Sequence, residues 1–205
     1  MRFNLSRLSL IAAPFFAASA LHAQNILENG SFNSPGDPLK GWVTDYAFAG
    51  NSNYMGNKNH VSVATEGGKS VVKFDYTGVG AGTGVKMESH PILFEPGFKY
   101  LCDIHIKGGE YRVQFAGYQW TPGTAPHDNP TIGELRMIYK SKVIDSTSPA
   151  WKDEKFEIPG VSLSDEAKEH LKKVRFLTVY IVMLNHGSID NVTVTKVADP
   201  SMKFD

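Results

Sequence analysis

Polar and apolar residues alternate with a period of two along most of the chain, which is the period of β-strands. Seven stretches show this alternation: VKMESHPI, YLCDIHIKG, YRVQFAGYQW, ELRMIYKSKVI, KFEI, VRFLTVYIVML and SIDNVTVTKV. Segments rich in Gly, Pro, Asn and Asp, such as FEPGFK and IKGGEY, separate them as predicted turns. Short strands at close intervals, without helices between them, predict an all-β fold: an antiparallel β-sandwich or jelly roll.

One segment carries helix signals instead. SLSDEAKEHLKK places Ser164 as a helix N-cap, Asp165 and Glu166 in the first turn, and Lys172 and Lys173 at the end,. We therefore expect one short helix, lying across one end of the sandwich.

Residues 1–23 have the layout of a secretory signal peptide. Two arginines accompany an apolar run over 8–20, and small residues precede cleavage points after Ala20 or Ala23,. Residues 24–205 are then expected to form one mature domain, secreted or periplasmic after bacterial export. No later stretch is long and apolar enough to span a bilayer, so we expect no membrane span.

The overall charge narrows the choice of partners. The chain has 21 basic and 21 acidic side chains and a net charge of zero, which argues against a general nucleic-acid binder. The single cysteine, Cys102, cannot form an intramolecular disulfide. It alternates with Tyr100, Ile104 and Ile106, so we expect these four residues on the core face of one strand.

Four segments occur in an order that resembles certain carbohydrate-binding modules: NILENGSFN…GW, ATEGGKSVVKF, ILFEPGFKYLCDIHIKG and GSIDNVTVTKV. The chain is similar to families four, nine and twenty-two, which share a galactose-binding-like jelly roll, over nearly the whole mature domain. The resemblance implies an exported, non-catalytic protein that binds an oligo- or polysaccharide.

The same resemblance implies a structural calcium ion. Carried over residue by residue, its ligands would be the Ser31 carbonyl, the Asn33 side chain, the Glu66 carboxylate, the Lys69 carbonyl and the Asp190 carboxylate. The families often have Glu where this chain has Asn33, so a weaker site is expected. Calcium prefers oxygen ligands of this kind, and the ion would join the first strand to the last. The alternative is that Asn33 and Asp190 cap turns and that Glu66 is a solvated charge.

A sugar site in such a sandwich combines aromatic faces with planar polar side chains. In EYRVQFAGYQW, alternation turns Tyr111, Val113 and Phe115 toward the core. In ELRMIYK, it turns Leu135, Met137 and Tyr139 inward. The polar and aromatic residues of the opposite faces, with one from a later strand, are the predicted carbohydrate-binding residues: Arg112, Gln114, Tyr118, Trp120, Glu134, Arg136 and Tyr180,.

The resemblance places the cleft of these families in the segment around four of these residues, namely Tyr118, Trp120, Glu134 and Arg136. The long loop TPGTAPHDNPTIG lies between them, and long loops in compact domains are often functional,. Some family members also have a Trp before the VKMES strand, where this chain has GVGAGTGV, so one stacking platform is expected to be absent.

Two other functions stay open. A jelly-roll polysaccharide lyase would use Tyr, His, Arg and Gln, and the chain offers these types at His105, Arg112, Gln114, Tyr118 and Arg136,. The Gln-x-His motif usual in such lyases is not found, nor is HExxH or GxSxG. The second alternative is a surface adhesion or assembly protein with the same fold and no sugar site.

Overall fold

The computed structural model describes residues 24–44, 57–80, 83–160 and 163–203. The predicted signal peptide, residues 1–23, and its two cleavage points lie outside these ranges. Within them, no helix is long and apolar enough to cross a membrane.

The described residues form ten strands and one α-helix. The strands are β1 Trp42–Val43, β2 Val61–Glu66, β3 Lys69–Phe74, β4 Val85–Ser89, β5 Ile92–Leu93, β6 Phe98–Trp120, β7 Leu135–Lys140, β8 Ile144–Ile158, β9 Phe176–Met183 and β10 Gly187–Ala198. The helix α1 is Asp165–Leu171, and short 3-10 turns cover Asn57–His60, Ile132–Glu134 and Pro200–Met202.

All strand pairs are antiparallel and belong to one curled sheet that folds into two layers. The first layer has the order β2-β3-β10-β6-β8. The second has the order β1-β4-β9-β6, with β5 also beside β9 and β7 beside β6. The predicted all-β sandwich of the jelly-roll type with one short helix is confirmed.

Strand β6 belongs to both layers. Its first half pairs with β10 and β8, and its second half pairs with β9 and β7, while β8 continues beside β6 as far as Val113. The sequence predicted two strands separated by a turn at IKGGEY, which is wrong, because the chain bends there without leaving the sheet. Register shifts flank Gly108, and a Cβ on Gly109 would lie 2.8 Å from the Asn185 side chain. These glycines let the strand pass from one layer to the other.

The core lies between the layers and contains the residues that alternation placed there. Tyr100, Ile104 and Ile106 are fully buried, and Cys102 is 2% exposed. Burial raises the pKa of the Cys102 thiol well above its usual value, so this cysteine is a core residue and not a reactive thiol. In the second half of β6, the predicted inward residues are also fully buried: Tyr111, Val113 and Phe115.

Helix α1 begins where the sequence predicted. The Ser164 side chain accepts a hydrogen bond from the Ala167 backbone N–H at 3.2 Å. This bond satisfies one of the free N–H groups at the helix start. Leu171, at the helix end, is fully buried and anchors the helix on the core.

The opening segment of the domain is joined to β10 by backbone hydrogen bonds. The Val192 N–H donates to the Gly30 carbonyl at 2.8 Å, and the Ile26 N–H donates to the Val194 carbonyl at 2.8 Å. The Asn25 amide also donates to the Val192 carbonyl, at 3.2 Å. The contact is so close that a Cβ on Gly30 would lie 2.0 Å from the Val192 oxygen.

We expect Gly30→Ala to destabilise the protein by about 1–3 kcal/mol, because the added methyl group would push the opening segment away from β10. The matched control is Gly160→Ala, since a Cβ there meets no atom within 4 Å. Chemical denaturation of both variants measures the difference. Equal stability of the two variants would contradict the close contact.

Candidate functional site

The outward side of the second layer carries a row of polar side chains. Directly opposed residues of an antiparallel pair lie on the same side of the sheet. Strand pairing therefore places Val43, Glu88, Tyr180 and Gln114 in one row across β1, β4, β9 and β6. We call this side the recessed face, and its principal polar and aromatic residues are Lys86, Glu88, Gln114, Tyr118, Thr178 and Tyr180.

Glu88 is the centre of a hydrogen-bonded group on this face. It is fully buried, and one of its carboxylate oxygens accepts hydrogen bonds from the Tyr118 and Thr178 hydroxyls, the former at 2.5 Å. Burial and the neighbouring Glu88 raise the pKa of Tyr118. The same two causes, in the same order, raise the pKa of Tyr180. Both phenols are therefore neutral hydrogen-bonding groups.

Gln114 has an incomplete set of partners. Its side chain is 6% exposed, and its Oε1 is enclosed without a hydrogen-bond partner among the described residues. Buried polar atoms are nearly always hydrogen-bonded, and leaving one without a partner costs about 1–3 kcal/mol. An enclosed acceptor of this kind is a position where a donor from a ligand would be favourable.

Three basic side chains lie at the rim of the recessed face, and the acidic Asp145 and Glu110 accompany one of them, Arg112. Lys86 is half-buried, and burial, with a smaller contribution from Lys140, lowers its pKa to about 8. Lys140 is exposed and shares the face, because it lies opposite Ala116. Arg112 is also exposed, and its Nε donates to the Asp145 carboxylate at 2.8 Å.

An aromatic cleft adjoins the same face. The Trp120 ring lies 5.1 Å from the His127 ring and 5.4 Å, edge to face, from Phe176. With Leu93, which is 58% exposed, they border a cleft of about 690 Å³. A second cleft of about 760 Å³ continues from it along β5.

The long loop predicted to be functional covers one end of the recessed face. Ile132 and Leu135 pack with Tyr118 and Phe176 in a second, smaller apolar cluster. Trp120 and Tyr180 pack against this cluster. The loop therefore brings the aromatic cleft next to the polar row.

Glu134 holds this loop in place. Its carboxylate accepts hydrogen bonds from the Thr131 N–H and the Thr131 hydroxyl, both at 2.8 Å, and from the His127 ring at 2.9 Å. These bonds, the one from the Thr131 backbone first, lower the pKa of Glu134 to about 2. The candidate carbohydrate ligand Glu134 is thus part of a capping box that orders the loop.

The side of the sheet predicted for Leu135, Arg136 and Met137 of β7 is wrong. Tyr139 packs against the core as predicted, but Leu135 and Met137 lie with Tyr118 on the outward side. The cause is a register shift in β7, where Tyr139 and Met137 oppose consecutive residues of β6 and Ile138 is left unpaired,. Arg136 consequently opposes Gln119, on the side away from Trp120 and Gln114.

Three of the seven predicted sugar ligands therefore meet on the recessed face, namely Gln114, Tyr118 and Tyr180. Arg112 lies at its rim and Trp120 in the adjoining cleft. Sequence reasoning missed Lys86, Glu88 and Thr178. The first two could have been found, because Val85 and Met87 are core residues and alternation puts their neighbours outward,.

The predicted calcium ligands have partners from the chain itself. Asp190 contacts the His105 ring nitrogen at 2.6 Å and the Lys69 ammonium at 3.5 Å. Glu66 forms an ion pair with Lys73. The Asn33 side-chain oxygen accepts from the Ser31 hydroxyl at 3.0 Å.

Basic side chains accompany both predicted carboxylate ligands, Asp190 and Glu66. Within the ranges that the structure describes, no group of three or more His, Cys, Asp or Glu side chains is placed to hold a metal ion. Lys69, expected to offer its carbonyl, also directs its ammonium group to the Asp190 carboxylate at 3.5 Å. Calcium stays a prediction, and the donor set as arranged does not fit it.

No protein-family model matches the chain, and no curated protein matches it. Solved structures that are similar include the CBM22-1 and GH10 modules of xylanase 10B from Clostridium thermocellum, complexed with xylohexaose. Identity is 11% over 83% of this chain and 27% of that chain, with a TM-score of 0.43. This chain thus spans about a quarter of that xylanase chain.

Two other similar structures are of this chain's own size. A CBM4 structure is 13% identical over 83% of this chain and 99% of its own, with a TM-score of 0.44. A putative sugar binding protein from Bacteroides thetaiotaomicron is 14% identical over 85% and 100%, with a TM-score of 0.47. Modules of the kinds that the sequence resembles are among these structures.

The Glu134 capping box predicts a pH dependence of the loop. The folded pKa, about 2, lies below the ordinary value of about 4.3. The carboxylate therefore stabilises the loop at any pH above about 4.3, and this stabilisation is lost as the pH falls toward 2. We expect the Thr131 amide resonance, followed by NMR, to titrate with a midpoint near pH 2. Glu134→Gln should abolish that titration, and a midpoint near 4.3 would contradict the hydrogen bonds described.

The calcium prediction is tested by thermal unfolding of the domain. Because lysine ammonium groups already accompany Asp190 and Glu66, we expect the same melting temperature in chelator and in millimolar calcium. A metal bound only to the folded state at one hundred times its dissociation constant would add about 2.7 kcal/mol. A clear rise in melting temperature with calcium, lost in Asp190→Ala, would confirm the predicted site.

Proposed function

We propose that this protein binds carbohydrate on the recessed face and does not catalyse a reaction there. The observation that carries the proposal is the enclosed, unpartnered oxygen of Gln114 in a row of buried polar side chains. Natural proteins leave such a group without a partner chiefly where a ligand or a water completes it. A sugar hydroxyl is a donor of suitable size.

The surroundings of Gln114 support a sugar over a purely apolar ligand. The Glu88 group of buried carboxylate and hydroxyls fixes the floor, and the Tyr180 ring, opposite Gln114 on β9, offers a partly exposed aromatic surface. Rigid polar groups beside an aromatic ring suit a molecule with hydroxyl edges and apolar faces.

The Trp120 cleft extends this surface. Trp120 is partly exposed and borders the cleft together with Leu93 and Phe176. A saccharide of more than one unit could reach from Gln114 toward this ring. Trp120 was a predicted ligand, and its position beside the recessed face supports that role.

The non-catalytic part of the proposal rests on the state of the phenols. A lyase needs a tyrosine or another group that accepts a proton from its substrate near neutral pH. The Tyr118 hydroxyl donates a hydrogen bond to Glu88, and the pKa of Tyr118 is raised, so Tyr118 does not act as a base near neutral pH. Export through the predicted signal peptide belongs to the proposal as well.

Gln114→Met is expected to weaken sugar binding without lowering the stability of the protein. The variant removes an unpartnered buried acceptor and keeps similar volume, so we expect a melting temperature equal to or above that of the wild type. Sugar binding, identified on a glycan array and measured by calorimetry, should weaken about tenfold, the equivalent of about 1.4 kcal/mol. Trp120→Ala should also weaken binding, through the loss of its ring contact.

Arg136→Ala is the matched control, because Arg136 lies on the other side of the sheet and pairs with Gln119. We expect this variant to bind as the wild type does. Unchanged affinity in Gln114→Met together with a loss in Arg136→Ala would place the site on the wrong side. Release of unsaturated uronates, seen by their ultraviolet absorbance, would contradict the non-catalytic assignment.

A further inference from the structure

We propose that His127 is a positioning residue of the aromatic cleft and that the protein binds its saccharide more tightly when this imidazole is protonated. The inference rests on the proposed function and names the regulation of the same site. It combines two observations: both ring nitrogens of His127 face acceptor oxygens, and the loop that carries this residue forms a wall of the cleft.

The surroundings of the His127 ring require two N–H donors. Its Nδ1 atom lies 2.7 Å from the Asp128 backbone carbonyl oxygen, and its Nε2 atom lies 2.9 Å from the Glu134 carboxylate. A neutral imidazole has one N–H donor and one bare nitrogen, so it can donate to only one of these oxygens. The imidazolium donates to both. The geometry therefore favours the protonated ring, whichever tautomer the neutral form takes.

The charges around the ring act in the same direction. The hydrogen bond to the Asp128 carbonyl first, and then the hydrogen bond to Glu134, raise the pKa of His127 above its ordinary value of about 6.5,. The negative charges of the Asp128 and Glu134 side chains add to this effect,. The other described residues that border the cleft, from the strands and from the loop, carry no charge.

The loop is a wall of the cleft with a fixed base and an exposed tip. Residues 126–129 are exposed and border the cleft, where the His127 ring lies 5.1 Å from the Trp120 ring. At the base of the loop, Ile132 is buried in the second apolar cluster. Glu134 belongs to this base, so its bond with His127 joins the tip to the base.

The proton on His127 therefore controls how firmly this wall is held. Because the folded pKa lies above about 6.5, both bonds are present below about pH 6.5, and one is lost as the pH rises through the folded pKa,. A neutral ring leaves one acceptor oxygen without its donor, which loosens the tip beside Trp120. The ordered form of the wall is then less populated, and the apparent affinity for a saccharide that contacts it falls.

The first measurement follows His127 by NMR in the full domain without a saccharide. We expect both ring nitrogens to be protonated at about pH 6 and the ring to titrate with a midpoint above about 6.5. The Trp120 indole signal should titrate with the same midpoint, because the two rings lie 5.1 Å apart. A bare ring nitrogen at about pH 6, or a midpoint at or below about 6.5, would overturn the inference and leave sugar binding standing.

The second measurement is calorimetry from about pH 5.5 to about pH 9, with the oligosaccharide that binds best on a glycan array at about pH 6. We expect binding to be roughly twofold to fivefold weaker above the His127 midpoint, the range of an exposed ion pair. His127→Gln has one donor group, as neutral histidine has. This variant should bind at the weaker level throughout the pH range.

Two other titrating groups near the site provide controls. His90 borders the second cleft, with its Nδ1 atom 3.7 Å from the Glu28 carboxylate. His90→Gln should keep the pH dependence of the wild type. Lys86, whose pKa is about 8, is present in the wild type and in His127→Gln, so its effect cancels when the two are compared.

Linkage supplies a readout that a purely structural role of His127 would not move. If protonation favours binding of the saccharide, the saccharide favours protonation by the same factor. The NMR midpoint of His127 should therefore rise by about 0.3–0.7 in saturating saccharide, the logarithm of a twofold to fivefold change. An unchanged midpoint, or the same pH profile in the wild type and His127→Gln, would overturn the inference and leave sugar binding standing. Failure of every glycan on the array would overturn the proposed function and, with it, the role of His127 in binding.

Discussion

Strand β6 is the constraint on which the rest of the structure depends. It runs from Phe98 to Trp120, crosses both layers, and pairs with β7, β8, β9 and β10. In its second half, Val113 and Phe115 are locked in the core while Gln114 between them faces outward. The floor of the candidate site is therefore as rigid as the core itself, which is the condition for a preorganised binding surface.

Two buried polar side chains on the same face differ in whether hydrogen bonds within the protein replace the water that they lose on burial. Glu88 is enclosed and accepts two hydroxyl hydrogen bonds, so its burial is compensated from within the protein. Gln114 is enclosed in the same row, on the other side of Tyr180, and its oxygen has no such partner among the described residues. Buried polar atoms normally have hydrogen-bond partners, and the exceptions are commonly found at functional sites. The contrast is the main reason to locate binding on this face and not on the opposite layer.

Much of the architecture follows from simple periodicity. The all-β sandwich, the Ser164 cap and the core position of Cys102 could all be predicted, because each depends on a local signal that tertiary packing did not override. The continuity of β6 could not, since adjacent glycines signal a turn and only the neighbouring strands show that they form a bend here.

The site was less predictable than the fold, for two physical reasons. A register shift in β7 reversed the expected orientation of Arg136, and period-two reasoning has no signal for such a shift,. Glu134 is committed to a cap across the loop, which depends on how Thr131 and His127 fold back. The outward position of Glu88, in contrast, could have been predicted from the alternation of core and surface residues along β4. A charged residue between core positions indicates either a solvent-facing strand or, as here, a polar cluster.

The seam between the opening segment (Asn25–Gly30) and β10 has a consequence for folding during synthesis. The Asn25 amide contacts the Val192 carbonyl across 167 residues of chain. The opening segment of the domain thus finds this partner only after β10 has been made. Until then the opening segment has no strand on which to dock, and such long-range pairing is slow to form. The seam therefore closes late in the synthesis of the domain, after the other strands can already have paired.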